Sequence, residues 1–289
     1  MAKSKKMLST ELEEAFAADS GVGFEEVTSS DLQIPFLRII QALSPQLKKN
    51  DSAYIEGAGQ GDIFNTVTNK IWDGEDGVSV LPVFFQTKYL EFIPRSQGGG
   101  FVGELSAESN EVRTAVRDKN SGVELLSNGN ELVPTAQHYI KIVHEDGNLE
   151  NAIVDMKKTQ LKKSRLWLSM MMMQKHNGST LPSFANTYRL KSVEDGNDKG
   201  SWGSWSISLE GQVPSLEAYN DCKELHGSIA SGELQIAPPV QDTEVMDRVV
   251  QDTILLMRTM PILEDGMVNQ ALLLLHEKTN REYSRTGIE

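Results

Sequence analysis

Cysteine occurs only once in this 289-residue chain, at Cys222, so no disulfide can form within it and a reducing compartment is expected. Long apolar stretches are missing as well. Runs such as 170–173 and 271–275 are far shorter than the roughly 20 residues that cross a bilayer, so no membrane partner is expected. The opening Met-Ala-Lys-Ser-Lys-Lys is followed by Glu11, Glu13 and Glu14 instead of an apolar segment, which argues against a secretory leader. The expected location is the cytoplasm, that of the host cell if the protein is viral. Without a leader, the sequon Asn177-Gly178-Ser179 has no glycan to carry.

Signatures of chemistry are sparse. The five histidines, His138, His144, His176, His226 and His276, are scattered, and no two stand at the short spacing of a metal pair. Cys222 and His226 lie four apart on an expected helix, but two further ligands are lacking nearby. No Gly-x-Ser-x-Gly elbow occurs. The glycine-rich stretches 57–61 and 96–103 are not followed by Gly-Lys-Ser/Thr, so they read as turns and not as phosphate cradles. One weak enzyme motif remains. Asp155-Met156-Lys157, with Glu145 or Asp146 across a hairpin, has the acid-x-Lys form of metal-dependent nucleases. Three-residue matches of that kind arise often by chance, so the expectation is no enzyme, no metal and no cofactor.

The most informative absence is of acidic residues. The net charge of −13 would repel phosphate, yet residues 156–191 contain no Asp or Glu at all. They carry Lys157, Lys158, Lys162, Lys163, Arg165, Lys175, Arg189 and Lys191. The rest of the chain then holds 20 basic and 41 acidic residues. Segregation on this scale marks a surface built for a polyanion.

Along the chain, residues 1–30 read as an arm with a short helix near 9–18. Residues 31–215 read as a β-rich core and 216–289 as a helical element. Pro35 confines any helix in 31–43 to the part after it. Strands are expected at 63–68, 78–85, 88–93, 139–144, 149–156, 187–193 and 205–209, with the turn Glu145-Asp146-Gly147-Asn148 closing a hairpin. Residues 159–174 lack Gly and Pro and are rich in Leu, Lys and Met, which predicts a helix. Further helices are expected at 216–229, 243–260 and 267–278. Val245, Val249, Leu256 and Met260 supply an apolar face for packing or self-association.

If the helix begins at residue 159, Lys158, Lys162 and Arg165 form a stripe at i, i+4 and i+7. Aromatic residues interleave with the cations, as single-strand binders require, because bases stack on rings while cations follow the phosphates. The candidate binding residues are therefore Lys157, Lys158, Lys162, Lys163, Arg165, Trp167, Tyr188, Arg189, Lys191 and Trp202. A second group is Lys88, Tyr89 and Arg95, although strand alternation puts Lys88 and Tyr89 on opposite faces. For Trp167 and Trp205, each taken alone, filling the core outweighs stacking on a base.

Residues 31–46 (DLQIPFLRIIQALSPQ), 54–68 (YIEGAGQGDIFNTVT), 78–103 and 161–167 (LKKSRLW) resemble tailed-phage proteins from DNA-replication regions, a group connected with single-stranded-DNA binding. The resemblance spans roughly 31–209 and implies an OB-like barrel that coats single strands during replication or recombination. It also implies replication or recombination proteins as partners. The chain departs from many single-strand binders in ending on NREYSRTGIE, which is mixed in charge and not acidic. The expectation is an α+β fold with an OB-like antiparallel β-barrel or related β core, inserted helices and a helical C-terminal element. Its expected function is sequence-tolerant, non-catalytic binding of single-stranded DNA. The other readings are a strand-annealing recombination protein that self-associates, the Mg²⁺-dependent nuclease, and a phage structural or host-interaction protein.

Overall fold

The computed structural model of the chain describes residues 10–26, 34–119, 122–197 and 200–232. They fall into two units, one running through Phe92 and resuming at Val102, the other Ile93–Phe101. The second is a tight turn, in which Ile93 donates its N–H to the Gly100 carbonyl (2.9 Å) and Gly98 takes a left-handed φ of 110°.

In chain order the first unit holds α1 (Thr10–Ala18), β1 (Leu37–Ile39), β2 (Ile63–Asn65), β3 (Ile71–Trp72) and β4 (Val78–Phe92). Next come β5 (Phe101–Leu105), whose first residue belongs to the turn unit, α2 (Asn110–Arg113), β6 (Val116–Arg117) and β7 (Glu124–Leu125). The series continues with β8 (Glu131–Val143), β9 (Leu149–Lys157), α3 (Leu161–Met172), β10 (Lys175–His176) and β11 (Ser179–Thr180). It closes with β12 (Asn186–Asn197), β13 (Gly200–Gln212) and α4 (Leu216–Ala230). The helices expected at 243–260 and 267–278 lie outside the described residues, as do residues 1–9 and 27–30 of the N-terminal arm. Among the described residues no helix is long and apolar enough to cross a membrane.

The protein is α+β. Its main sheet runs β13-β12-β4-β8-β7-β6, with β9 added on β8 and β5 on β4, and it curls into a half-barrel. All of its recorded pairings are antiparallel. Two corrections to the sequence reading concern strands. The segment after Pro35 forms the short strand β1, not a helix, because Phe36 bridges Ile153 and the Ile153 N–H donates to the Pro35 carbonyl (2.9 Å). The two strands expected at 78–85 and 88–93 are one. Pro82 survives inside it because the register shifts between Pro82 and Phe84, a bulge that accommodates a residue with no N–H to donate. Before β4, Gly77 is held at φ 74°, with the Leu190 carbonyl where a Cβ would sit, so the turn into this strand requires glycine.

Strand alternation divides β8 into two faces. Ala136, Ile140 and Ile142 join Ala152, Val154 and Met156 of β9 in the main core, beneath Trp167 and Met171 of α3. The opposite face carries Tyr139 and Lys141, and α4 packs on the sheet there, with Ala218 and Cys222 against Leu81, Val83 and Phe184. Residues 216–230 thus pack on the β core. Ser215 caps α4 by accepting the Ala218 N–H (3.0 Å). The almost fully buried Lys141 ammonium meets the Asp221 carboxylate of α4 at 2.8 Å.

Asp221→Ala would strand the Lys141 charge under the helix and is expected to lower stability by about 1–3 kcal/mol, given that Asp221 itself is half exposed. Combining it with Lys141→Met should recover most of the loss. Urea midpoints of the two variants check this, and a double variant no better than Asp221→Ala would contradict it.

Candidate nucleic-acid interface

β9 ends at Lys157, and the chain turns at Lys158 before entering α3 through a 3-10 turn, Lys158–Gln160. Lys158 takes a left-handed φ of 50°, an unfavourable conformation for a side chain with a Cβ, at a cost of order 1 kcal/mol. The helix proper begins at Leu161, so Lys158 stands ahead of it instead of on its first turn as the sequence reading had it. Its inner stripe is Ser164, Trp167 and Met171, which leaves Lys162 and Arg165 on the outer face. Lys158, Lys162 and Arg165 are all exposed, and among the described residues none has an acidic partner.

The helix is fixed by an aromatic stack. The Trp167 ring lies 4.6 Å from the His138 ring of β8 and makes an edge contact with Tyr188 of β12 at 5.9 Å. His138 Nε2 meets Ser164 Oγ at 2.8 Å. Trp167 and Tyr188 are fully buried, so both candidate stacking rings are core residues and neither is open to a base. Their periodicity matched either role; enclosure between sheet and helix decides it.

The other candidates divide among several places. Lys163, on the flank of α3 toward β13, lies 3.8 Å from Asp195, and Asp195 pairs across the hairpin with Trp202. Lys191 and Trp202 share the outer face of β12–β13, where Trp202 is half-buried with its Nε1 enclosed. The Gln160 amide oxygen accepts the Trp205 N–H (3.3 Å), so the helix start and this hairpin adjoin. Arg189 is held by Glu210, which also accepts from Ser79. Lys157 and Lys88 flank Thr135 on the sheet face opposite α3. There Lys157 lies over the Phe92 ring (5.4 Å) and Lys88 is bridged to Glu104 (2.6 Å). Tyr89 sits in the same strand, and Arg95 belongs to the separate turn unit. The structure therefore brings together Lys158, Lys162, Lys163 and Arg165, with Trp202 across the hairpin from the Asp195 that meets Lys163, and does not join Lys88, Tyr89, Lys157, Arg189 or Lys191 to them.

The nuclease motif is dispersed. Asp155 pairs with Gln137, six residues from the hairpin end at Leu149, so Glu145 and Asp146 in the turn stand about 20 Å away. Gln137 donates to Asp155 (3.1 Å), and burial raises the Asp155 carboxyl above its ordinary range against the pull of Lys157. No group of three possible metal ligands forms among the described residues. Cys222 is sealed in the core with its thiol pushed up to about 11 by burial, while His226 meets the Phe84 ring edge-on at 5.7 Å.

A cleft of about 200 Å³ escaped the sequence reading. β12 pairs with β4 only at Val78–Val80, and past that point the bulged segment of β4 is bridged by Ser183, whose hydroxyl donates to the Val83 carbonyl (3.2 Å). The cleft opens there between α3 and α4, lined by Phe84, Phe85, Leu168, Met172, His138 and His226 among others. Its two signals were the methionine run 170–173 and a proline inside a strand.

Burial lowers the His138 pKa to about 3. The unfolded chain, with an ordinary histidine pKa near 6.5, binds a proton between those values that the folded chain refuses. Stability should be complete above about pH 6.5 and fall by a few kcal/mol as the pH drops toward 3. Urea midpoints between pH 7 and 4 should show a slope that His138→Phe reduces; an unchanged slope would contradict the assignment.

Among known proteins, no curated protein and no solved structure matches this chain. The model of one protein family does, over residues 3–235, a stretch that takes in the sheet, α3 and α4. By that match the chain belongs to the Pam3 phage gp34-like protein family.

Proposed function

We propose that this phage-family protein binds single-stranded DNA, tolerantly of sequence and without chemistry, during phage DNA replication or recombination in the host cytoplasm. The observation that carries the reading is the outer face of α3 with its approach turn. There Lys158, Lys162 and Arg165 point to solvent in the middle of an acid-free window, on a chain that is otherwise strongly acidic. Placing phosphate along that face neutralises repulsion that the rest of the surface would impose. Half-buried Trp202, across the hairpin from the Asp195 that meets Lys163, supplies an aromatic group beside this face. The curled antiparallel sheet is compatible with a divergent OB-like barrel, although its described order is that of an open sheet. Self-association through 243–278 and docking of replication or recombination proteins belong to the same proposal.

Anisotropy of a labelled oligonucleotide with the full chain tests it. Log affinity for single strands should fall with log salt by about 0.7 per phosphate contacted, and duplex of equal length should bind more weakly. Changing Lys158, Lys162 and Arg165 together to Ala should lower that slope by about two while leaving the fold intact, since exposed charges contribute little to stability. A folded triple variant that binds like the wild type would remove α3 as the interface. Asp155→Asn should leave binding unchanged; if it abolishes Mg²⁺-dependent cleavage by the wild type, the nuclease reading replaces this one.

A further inference from the structure

We infer that the cleft between α3 and α4 takes one unstacked nucleobase of the bound strand. The inference rests on the single-strand reading and deepens it. At about 200 Å³ the cleft is smaller than the roughly 300–1,000 Å³ of sites for drug-sized ligands, and it suits a single flat ring system. Its walls are apolar and polarisable, with Phe84 and Phe85 on β4 and Leu168 and Met172 on α3. Thioethers and aromatic edges contact the π-face of any base, which fits binding that tolerates sequence. Polar groups stand at its border, namely the exposed His226 imidazole and the Ser183 hydroxyl, and they can meet a base edge without demanding one base.

Position on the helix links this cleft to the cations. Arg165, Leu168 and Met172 stand at i, i+3 and i+7, so they share one flank of α3, with about 10 Å of rise between Arg165 and Met172. A phosphate held at Arg165 leaves a neighbouring base of the same strand within reach of the cleft mouth. Every α3 residue of the cleft, with Leu181 and Ser183, lies inside the acid-free window, so a polyanion can approach the mouth without repulsion from these elements. Met172 is 64% exposed at that mouth, an apolar group left in water unless something flat covers it. A duplex presents no free base to such a site, so the cleft also supplies a physical basis for preferring single strands.

The test compares two oligomers of equal length on the full chain, oligo-dT and a fully abasic sugar-phosphate chain, each over a salt series. The wild type should prefer oligo-dT by the order of tenfold, the worth of one stacked base. Met172→Ala combined with His226→Ala removes two exposed side chains from the mouth without opening the core, so the variant should fold. It should lose most of that preference with its salt slope unchanged. The Lys158, Lys162 and Arg165 triple variant should do the reverse, keeping the preference and losing slope. A double variant that retains the wild-type preference would overturn the base site, as would a wild type that binds both oligomers equally, and in both cases phosphate binding on α3 would still stand. A wild type that binds neither oligomer would overturn the single-strand reading itself and the base site with it.

Discussion

The contact of Trp167 and Ser164 with His138 fixes where everything else on α3 can point. Once the indole is stacked on the imidazole at 4.6 Å and the serine hydroxyl is bonded to it, the helix has one rotational setting over the sheet. Lys162 and Arg165 then face solvent, Lys163 turns toward the β12–β13 hairpin, and Leu168 and Met172 overhang the bulged segment of β4. The cost is a buried imidazole kept neutral, which is tolerable because a single hydroxyl satisfies Nε2 and flat rings cover the remainder. The helix therefore presents Lys162 and Arg165 from one fixed face.

The second constraint comes from the other face of the same sheet. Lys141 is buried under α4 and needs Asp221, so one acid of an acidic protein is committed to neutralising the core. Beside it runs a polar row. Gln86 donates to the Gln137 side-chain oxygen (2.9 Å) and to the Tyr139 hydroxyl, which itself donates to Gln137 (2.9 Å), and Gln137 donates to Asp155. These groups satisfy one another, which accounts for polar residues in the middle of long strands without requiring a ligand. Charge segregation in sequence thus becomes segregation in space only in part, because Lys157 ends β9 on this face while Lys162 and Arg165 sit on the other.

Much of the β core was legible. The turn at 145–148, the paired strands on either side and the helix at 216–229 follow from composition and spacing that local physics reads directly. Three features were not legible for identifiable reasons. The segment after Pro35 has helical spacing, but a neighbouring strand edge captures it, a tertiary override of local preference. Tyr188 has the right residue type for stacking on bases, and sequence carries no measure of enclosure that would reserve it for the core, whereas for Trp167 the sequence itself favours core filling. The cleft depends on where β12 leaves β4, and that departure point is set by the Pro82 bulge and by pairings distant in sequence. Asn177-Gly178, both at positive φ, close the small β10–β11 hairpin just past the end of α3.

The central claim is that nucleic acid lies along the outer face of α3, and lysine protection measures this most directly. Limited acetylation of the full chain, read by mass spectrometry with and without saturating oligo-dT, reports each ammonium group separately. The account predicts strong protection of Lys158 and Lys162, with Lys49 and Lys119, exposed elsewhere, modified at unchanged rates. Unchanged modification of Lys158 and Lys162 under saturating oligonucleotide, or protection confined to lysines outside 156–191, would contradict it.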